Sequence, residues 1–308
     1  MRTKLLLPAL LLAATGLVAG CGKNSLNGPP SPDAPGPGTQ ADQARVLNAL
    51  SLAPEAVEDG QFESSDVATV GGGVPGSFAA IRPIRFWRTI TRVERSFEFA
   101  FADSDSTGRP TTVIVTVNKR LTGTFNILTG LPGTDNVPMD SALRVIRKPL
   151  VDHWVRRLLL KRRPGGDDWH IVATSGVKVT SRNATTKILS LRVQATGVDS
   201  TITDPLALFR LRRILCIDPD DQVTLTVTTL RSDDVVFLLL RDRRFRFHNN
   251  GDHTYTGVFR MPALAGLRHA GVNAFSNGTL FDDEAPYDSQ AWLAPLLVRP
   301  YLIADQLP

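Results

Sequence analysis

Between Ser96 and Lys119 the hydrophobic positions recur at every second residue: Phe97, Phe99 and Phe101 fall on one side of "SFEFAFAD", and Val113, Val115 and Val117 on one side of "TTVIVTVNK". A period of two is that of a half-buried strand. The intervening "DSDSTGRP" carries the Asp, Ser, Gly and Pro of a turn, so the two runs predict a hairpin. The stretch "VDHWVRRLLLKR", the turn "RPGGDD" and "WHIVATSGVKV" predict a second hairpin, and "TKILSLRVQATG" a fifth strand. Upstream the period changes to that of a helix. "ADQARVLNALSLA" places Ala44, Val46, Leu47 and Leu50 on one face, and Pro54 stops it. The Gly-rich "VGGGVPGS" that follows lacks the Lys-Ser/Thr ending of a phosphate-binding loop and predicts a plain connection. One helix followed by an antiparallel meander predicts an α+β domain over residues 41–198, with the helix covering one face of a curved sheet.

After "VDSTITDP", whose Pro205 and polar residues read as a hinge, come "ALFRLRRILCI", "DQVTLTVTTL", "DVVFLLLRD" and "RFRFHNNGDHTYTGVF". They are spaced as the strands of a sandwich, with Val223, Leu225 and Val227 alternating inward. An all-β immunoglobulin-like sandwich is therefore expected over residues 199–308.

The N-terminal end has a different character. Arg2 and Lys4 precede an apolar run from Leu5 to Val18, closed by the small residues Ala19 and Gly20. That is the pattern of an export signal over residues 1–20, and it is shorter than the ~20 apolar residues of a membrane span. From Gly22 to Gln40 the chain is rich in Pro, Gly, Ser and Asn without a periodic apolar face, which predicts a tether reaching up to ~60 Å.

Three stretches resemble known families. Val18-Ala19-Gly20-Cys21 resembles the lipobox of bacterial lipoproteins, placed correctly behind the charged start and apolar run. The resemblance implies that Cys21 is acylated and becomes the first mature residue, with residues 21–40 as lipidated linker. Gly22, where an aspartate would retain a lipoprotein in the inner membrane, implies the outer membrane of a bacterial cell envelope. The order of elements over 41–198 resembles the NTF2-like or cystatin-like cone, whose enzymes place an Asp or His base inside an apolar cavity. "NNGDHTYTGVFRMPALAGLRHAGVNAFSNG" resembles the filamin-type immunoglobulin-like repeat through its Asn-Gly-Asp turn, Thr254-Tyr255, Pro262 and Gly266, with Ser289 to Val298 as the closing strand. It departs from that family at His253 in the turn and at the acidic "FDDEAPYD". That resemblance implies peptide binding by addition of a strand to an exposed edge.

Charge and cysteine content narrow the function classes. Without Arg2 and Lys4 the formal net charge of +5 falls to about +3, which is no nucleic-acid footprint. Apart from Cys21 the only cysteine is Cys216, so no disulfide framework is expected.

Five histidines are present, with no His-Glu-x-x-His, no Cys-x-x-Cys and no Gly-x-Ser-x-Gly, so no catalytic set is assigned. The candidates for a general base are His170, His153 and Asp168, the first and last at the mouth of the second hairpin. Against this, Asp167 and Asp168 suit a turn, and alternation exposes one of Trp169 and His170. No metal site is assigned. His248, Asp252 and His253 flank one turn, and Asp282 and Asp283 stand in an acidic connection, as does "DPDD" from Asp218. Calcium could collect its oxygens from such loops, but turn chemistry and solvation explain the same residues.

The sequence thus points to a lipid-anchored envelope lipoprotein acting as a non-enzymatic binding or scaffold module, held to the membrane by its lipid and meeting an envelope protein or polysaccharide. The alternative is a small-molecule binder or cavity enzyme using the first domain.

Overall fold

The computed structural model describes residues 38–57, 68–70, 80–130, 143–211, 214–240, 243–261 and 266–298. The export signal, Cys21, and all of the tether before Gly38 lie outside the described residues, as do Pro262 and most of the loop after Val70.

Helix α1 (Gln40–Ser51) starts with a capping box, in which Thr39 accepts from the Asp42 amide while Asp42 accepts from the Thr39 N–H. Val46 and Leu50 are buried beneath it, whereas Ala44 and Leu47, expected on the same face, are exposed. The apolar stripe is therefore narrower than the sequence suggested. Pro54 does not simply stop the helix. It begins a second short one, α2 (Pro54–Val57), as a proline with no amide to donate readily does.

The long alternating runs form β2 (Arg82–Ser104), β3 (Pro110–Gly130), β4 (Leu143–Arg162) and β5 (Trp169–Ser181), paired antiparallel in sequence order. Both expected hairpins are present. Phe97, Phe99 and Phe101 lie opposite Val117, Val115 and Val113. At Ile90–Arg92 the register slips by one residue against Gly123, and a Cβ on Gly123 would lie 2.0 Å from the Thr89 carbonyl oxygen. Only glycine fits this bulge, which bends the ribbon.

The two-domain expectation fails beyond β5. The fifth strand, β6 (Ile188–Ala195), leaves the meander and joins a second sheet of order β13-β14-β10-β6-β7. This sheet is built from β7 (Val198–Ile202), β10 (Gln222–Thr229), β13 (His248–Asn249) and β14 (Thr254–Arg260). The expected closing strand, β16 (Ser289–Val298), inserts beside β5 instead of sealing a sandwich. The first sheet then continues through β15 (Gly266–Phe275), β11 (Val235–Leu240) and β12 (Arg243–Arg246). Short β8 (Leu208–Arg210) and β9 (Leu215–Ile217), expected as one strand, are separate and attach to β5 and β16. Residues before and after 198 thus share both sheets.

The protein is mostly β, with a nearly closed, barrel-like sheet, and not an α+β domain followed by an immunoglobulin-like sandwich. The NTF2-like cone falls with that correction. Near the seam, Arg246 Nη1 donates to the carbonyl of Val70, just after β1 (Ala68–Thr69), at 3.3 Å. The physical reason for the error is in β16. "SQAWLAPLLV" is buried at nine of its ten positions, the burial of a central strand covered on both faces and not of a half-exposed edge.

Three apolar clusters fill the body. Val223, Leu225 and Val227 do point inward, and with Val272, Trp292 and Leu296 they cement the second sheet to the outer face of β15 and β16. Inside the barrel, one cluster gathers Val46, Val113, Trp154 and Leu158, and the other Phe86, Phe125, Phe237, Phe275 and Tyr287. At ~1.5–3 kcal/mol for each fully buried large side chain, these clusters dominate stability.

Two devices hold β16 in place. Gly176 lies where any Cβ would be 2.4 Å from the Leu293 carbonyl oxygen and 2.9 Å from that of Pro205, so three backbone segments meet there. Asp288, buried just before β16, accepts from Ser181 Oγ at 3.1 Å, from the amides of Thr185 and Thr186 at 3.2 Å, and from Thr185 Oγ1. It clasps the bend by which the chain leaves the barrel for the second sheet.

Asp288→Ala strands those donors and is expected to cost about 2–4 kcal/mol. Asp288→Asn, which keeps an acceptor, should lose less than half as much in equilibrium urea unfolding.

Candidate functional site

Strand β4 places its even-numbered residues inside the barrel, and its inward face reads Lys148, Leu150, Asp152, Trp154, Arg156, Leu158 and Leu160, all buried. Charges at core parity set this strand apart. Between the two interior apolar clusters Asp152, Trp154 and Arg156 form a polar belt with residues from five other strands and with Tyr287.

Arg88 of β2, fully buried, approaches Asp152 Oδ2 at 3.5 Å. Tyr287 donates its hydroxyl to the same oxygen at 3.1 Å and accepts from Ser289 Oγ at 2.7 Å. Lys119 Nζ stands 4.6 Å from the Trp154 ring, with the Arg156 guanidinium 5.4 Å from it. Arg156 Nη2 lies 2.9 Å from His269 Nε2 of β15. Arg244 of β12 reaches the Phe86 ring at 5.9 Å. Asn273 of β15 is fully buried beside Phe237.

The belt shifts the acidity of its members. Burial pushes Asp152 up to about 6, against the opposing pull of Arg88, the Tyr287 hydroxyl and Arg244. Burial, reinforced by Arg156, pushes His269 down to about 3. His269 is thus neutral, and its Nε2 accepts from the guanidinium. Burial and the adjacent Asp152 also raise the Tyr287 phenol. Away from the belt, Lys148 donates to the carbonyls of Gly278, Thr279 and Asp282 at 3.0, 2.8 and 2.6 Å, closing the end of α3 (Asn277–Phe281), and burial lowers it to about 8.

None of the three candidate bases from the sequence enters this belt. His153 is exposed on the outer face of β4, between Arg120 and Thr180. His170 is half-buried opposite Lys161, and its Nδ1 has no hydrogen-bond partner among the described residues. Asp168 is exposed in the hairpin turn, where its carbonyl accepts from the Arg163 amide.

His248, Asp252 and His253 are exposed at their turn, and Asp252 is occupied with the amide and hydroxyl of Thr254 at 3.1 and 2.5 Å. His253 adopts φ +67°, the left-handed conformation that the filamin-like pattern gives to glycine. Asp282 accepts from the amides of Glu284 and Ala285, and Asp283 is paired with Arg144 at 2.7 Å. Among the described residues no three His, Cys, Asp or Glu side chains gather as a metal site. Cys216 is half-buried in β9, its thiol 3.3 Å from the Ile214 carbonyl.

The belt is hard to see in the sequence because Arg156 and Arg157 are adjacent, one inside the barrel and one outside. The usable signal was parity: Lys148, Asp152 and Arg156 share the phase of Leu150, Trp154 and Leu158, whereas Arg157 faces out.

Two further features have surface or crevice character. A narrow apolar seam lies between the sheets, lined by Leu191, Ile202, Phe209, Trp292 and Pro295 among others. And β2 pairs with β1 only at Arg85 and Phe86, so from Trp87 to Ser104 its outer edge has no strand partner among the described residues. Most of that stretch is exposed on one face, while the other carries the half-buried row Phe97, Phe99 and Phe101.

Comparison with protein-family models, curated proteins and solved structures returned no match.

Acidity in the belt makes a signed prediction. The lowered His269 favours folding at neutral pH and loses that advantage as pH falls from about 6.5 toward 3, because the unfolded chain takes the proton first. Asp152 works oppositely, its raised value favouring the folded state below about 4 and losing that as pH rises through 6. His269→Gln removes the first contribution alone. Its melting temperature should fall less than that of the parent protein between pH 7 and 4, as read by circular dichroism.

Proposed function

We propose that the protein is a lipid-anchored lipoprotein of the bacterial cell envelope that works as a binding module, capturing an extended segment of an envelope protein along the outer edge of β2. The observation that carries this reading is that edge. From Trp87 to Ser104 it offers a long row of backbone donors and acceptors beside three aromatic side chains. Such an edge recruits a strand, with affinity from main-chain hydrogen bonds and selectivity from alternate side chains. The charges along it, Arg92, Glu94, Arg95 and Glu98, alternate in sign and select a register in the incoming strand. The filled core supports work at the surface, since Val113, Val115, Val117 and Trp154 occupy the space that a cavity enzyme would need open.

The anchor rests on Leu17 to Lys23, where the lipobox-like stretch precedes Cys21. A Pro/Gly-rich tether then holds the barrel away from the lipid until Thr39 caps α1. An outer-membrane address follows from Gly22 in place of aspartate.

Cys21→Ala should move the protein from the membrane pellet to the soluble fraction, and mass spectrometry of the wild-type N-terminal peptide should find acyl chains on Cys21. A pellet unchanged by the substitution refutes the anchor. For the edge, a photo-crosslinker at Ala100, exposed on β2, should trap a single envelope protein, whereas one at Leu230 should not. Proline placed singly from Arg92 to Ala100 should abolish trapping, without loss of melting temperature, wherever the amide faces outward. Equal trapping at both positions, or trapping indifferent to every proline, rejects strand capture.

A further inference from the structure

The outward face of β3, β4 and β5 carries charge of one sign. On β4 the odd-numbered residues point away from the barrel interior, and among them Arg147, His153, Arg157 and Lys161 are exposed. On β5, Lys178 lies opposite Val155 and Thr180 opposite His153. Arg182, whose amide donates to the Val151 carbonyl at 3.0 Å, continues that row and is exposed. The only acid in the three strands is Asp152, which points inward. The parity that carries this carboxylate into the core therefore leaves the outer face without one.

Arg147, Arg157, Lys161, Lys178 and Arg182 have no ion-pair partner among the described residues. Acids on adjoining elements are engaged elsewhere. Glu94 pairs with Arg92 at 2.7 Å, Glu98 accepts from Asn118 at 2.9 Å, and Asp167 pairs with Arg45 and Arg109. Asp168 stands in the turn past the end of β4. Other parts of the surface mix their signs, as at Arg192 with Asp199 and Arg231 with Asp233. Mixed signs keep a face solvated without a strong field, whereas a face of one sign attracts an opposite one.

Shape selects the anionic partner. The sheet is barrel-like, so its outer face is convex, and a plane meets a convex barrel along a line. The cations follow such a line: Arg147 to Lys161 spans about 45 Å of β4, with Lys178 and Arg182 alongside. Half-buried Val151, Val155 and Leu159 lie between them. Phe125, Trp154 and Trp169 of these strands are all buried in the interior clusters. The face thus lacks the aromatic platform on which a nucleic-acid base or a sugar ring would stack.

We propose that this face lies against an anionic phospholipid surface, with Arg147, Arg157, Lys161, Lys178 and Arg182 meeting the headgroup phosphates. The choice of lipid rests on the anchor proposed above, because a tether reaching up to ~60 Å keeps the barrel within range of the leaflet that holds Cys21. Each cation near such a surface is worth about fivefold in partitioning, and five together come to roughly the marginal binding of a single myristoyl chain. The contact orients an anchored barrel and does not replace the anchor.

The test uses the full chain carrying Cys21→Ala, so that no acyl chain contributes, in sedimentation with vesicles of phosphatidylcholine alone or mixed in equal parts with phosphatidylglycerol. Phosphatidylcholine gives the baseline, including whatever the export segment adds. At low salt the anionic vesicles should bind about a hundredfold more tightly, and raised salt should remove the difference. Adding Arg157→Gln and Lys178→Gln together should weaken anionic binding about 25-fold at an unchanged melting temperature. Arg192→Gln with Arg260→Gln, which takes the same charge from exposed positions of the second sheet, should weaken it by no more than about twofold.

Equal binding to both kinds of vesicle overturns the proposal. Equal loss in the two double variants also overturns it, by assigning the effect to net charge. So does tighter binding to soluble polygalacturonate or duplex DNA than to vesicles at equal concentration of negative charge, which would give the face to a linear polyanion. None of these readouts involves Cys21, so failure of the anchor and failure of the face are told apart.

Discussion

The short pairing between β5 and β16, from Thr180 with Gln290 to Val177 with Leu293, is the contact that makes one sheet out of two halves of the chain. On one side lie the long strands β2 to β5, and on the other β15, β11 and β12. Everything inside the barrel depends on that join, because the residues of the belt come from both sides of it. The approach is so close that Gly176 is required by space alone, with two carbonyl oxygens within 3 Å of where a Cβ would stand. A methyl group there would push apart the backbones that bring Arg156 to His269.

The barrel is divided by its own chemistry. Apolar clusters occupy both ends of the interior, and the charged belt lies between them. Burying a charge is tolerated only when pairing offsets desolvation, and Arg88, Asp152, Tyr287 and Ser289 form such a chain. Replacing such a chain with well-packed apolar residues is often neutral or stabilising in other proteins. Its presence in the core of a protein with ample apolar surface to bury therefore calls for a role beyond stability. Lys148 shows the ordinary alternative, since three carbonyls satisfy it fully at the end of a short helix and leave nothing open.

Local pattern was legible in the sequence, and long-range pairing was not. Both hairpins, the α1 segment and the inward valines of β10 follow from period and turn chemistry alone, whereas the limits of β16 came only with the filamin-type resemblance. Which sheet β6 would join does not, since "TKILSLRVQATG" alternates equally well for either. Neither does the partner of β16. Its continuous burial distinguishes a central strand from an edge, but no local rule says that β5 is its neighbour. At the site, His170 beside its hairpin turn and His153 were the candidate bases, and His269, held by a residue 113 positions away, was not. The belt itself is a product of strand pairing, which periodicity cannot express.

The clasp at Asp288 also sets an order of events in time. It binds Ser181, Thr185 and Thr186 across about a hundred residues, and Ser289 closes on Ser181 over 108. A chain made from its N-terminus would form the β2–β5 ribbon first and hold the far edge of β5 open until residue 288 arrived. Loop closure over that span makes this the slow step of folding, and during the wait β5 is a bare edge prone to wrong partners. The protein would then be most exposed to aggregation just after synthesis, and a partner that shields strand edges at that stage would matter more to its yield than the final stability of the barrel.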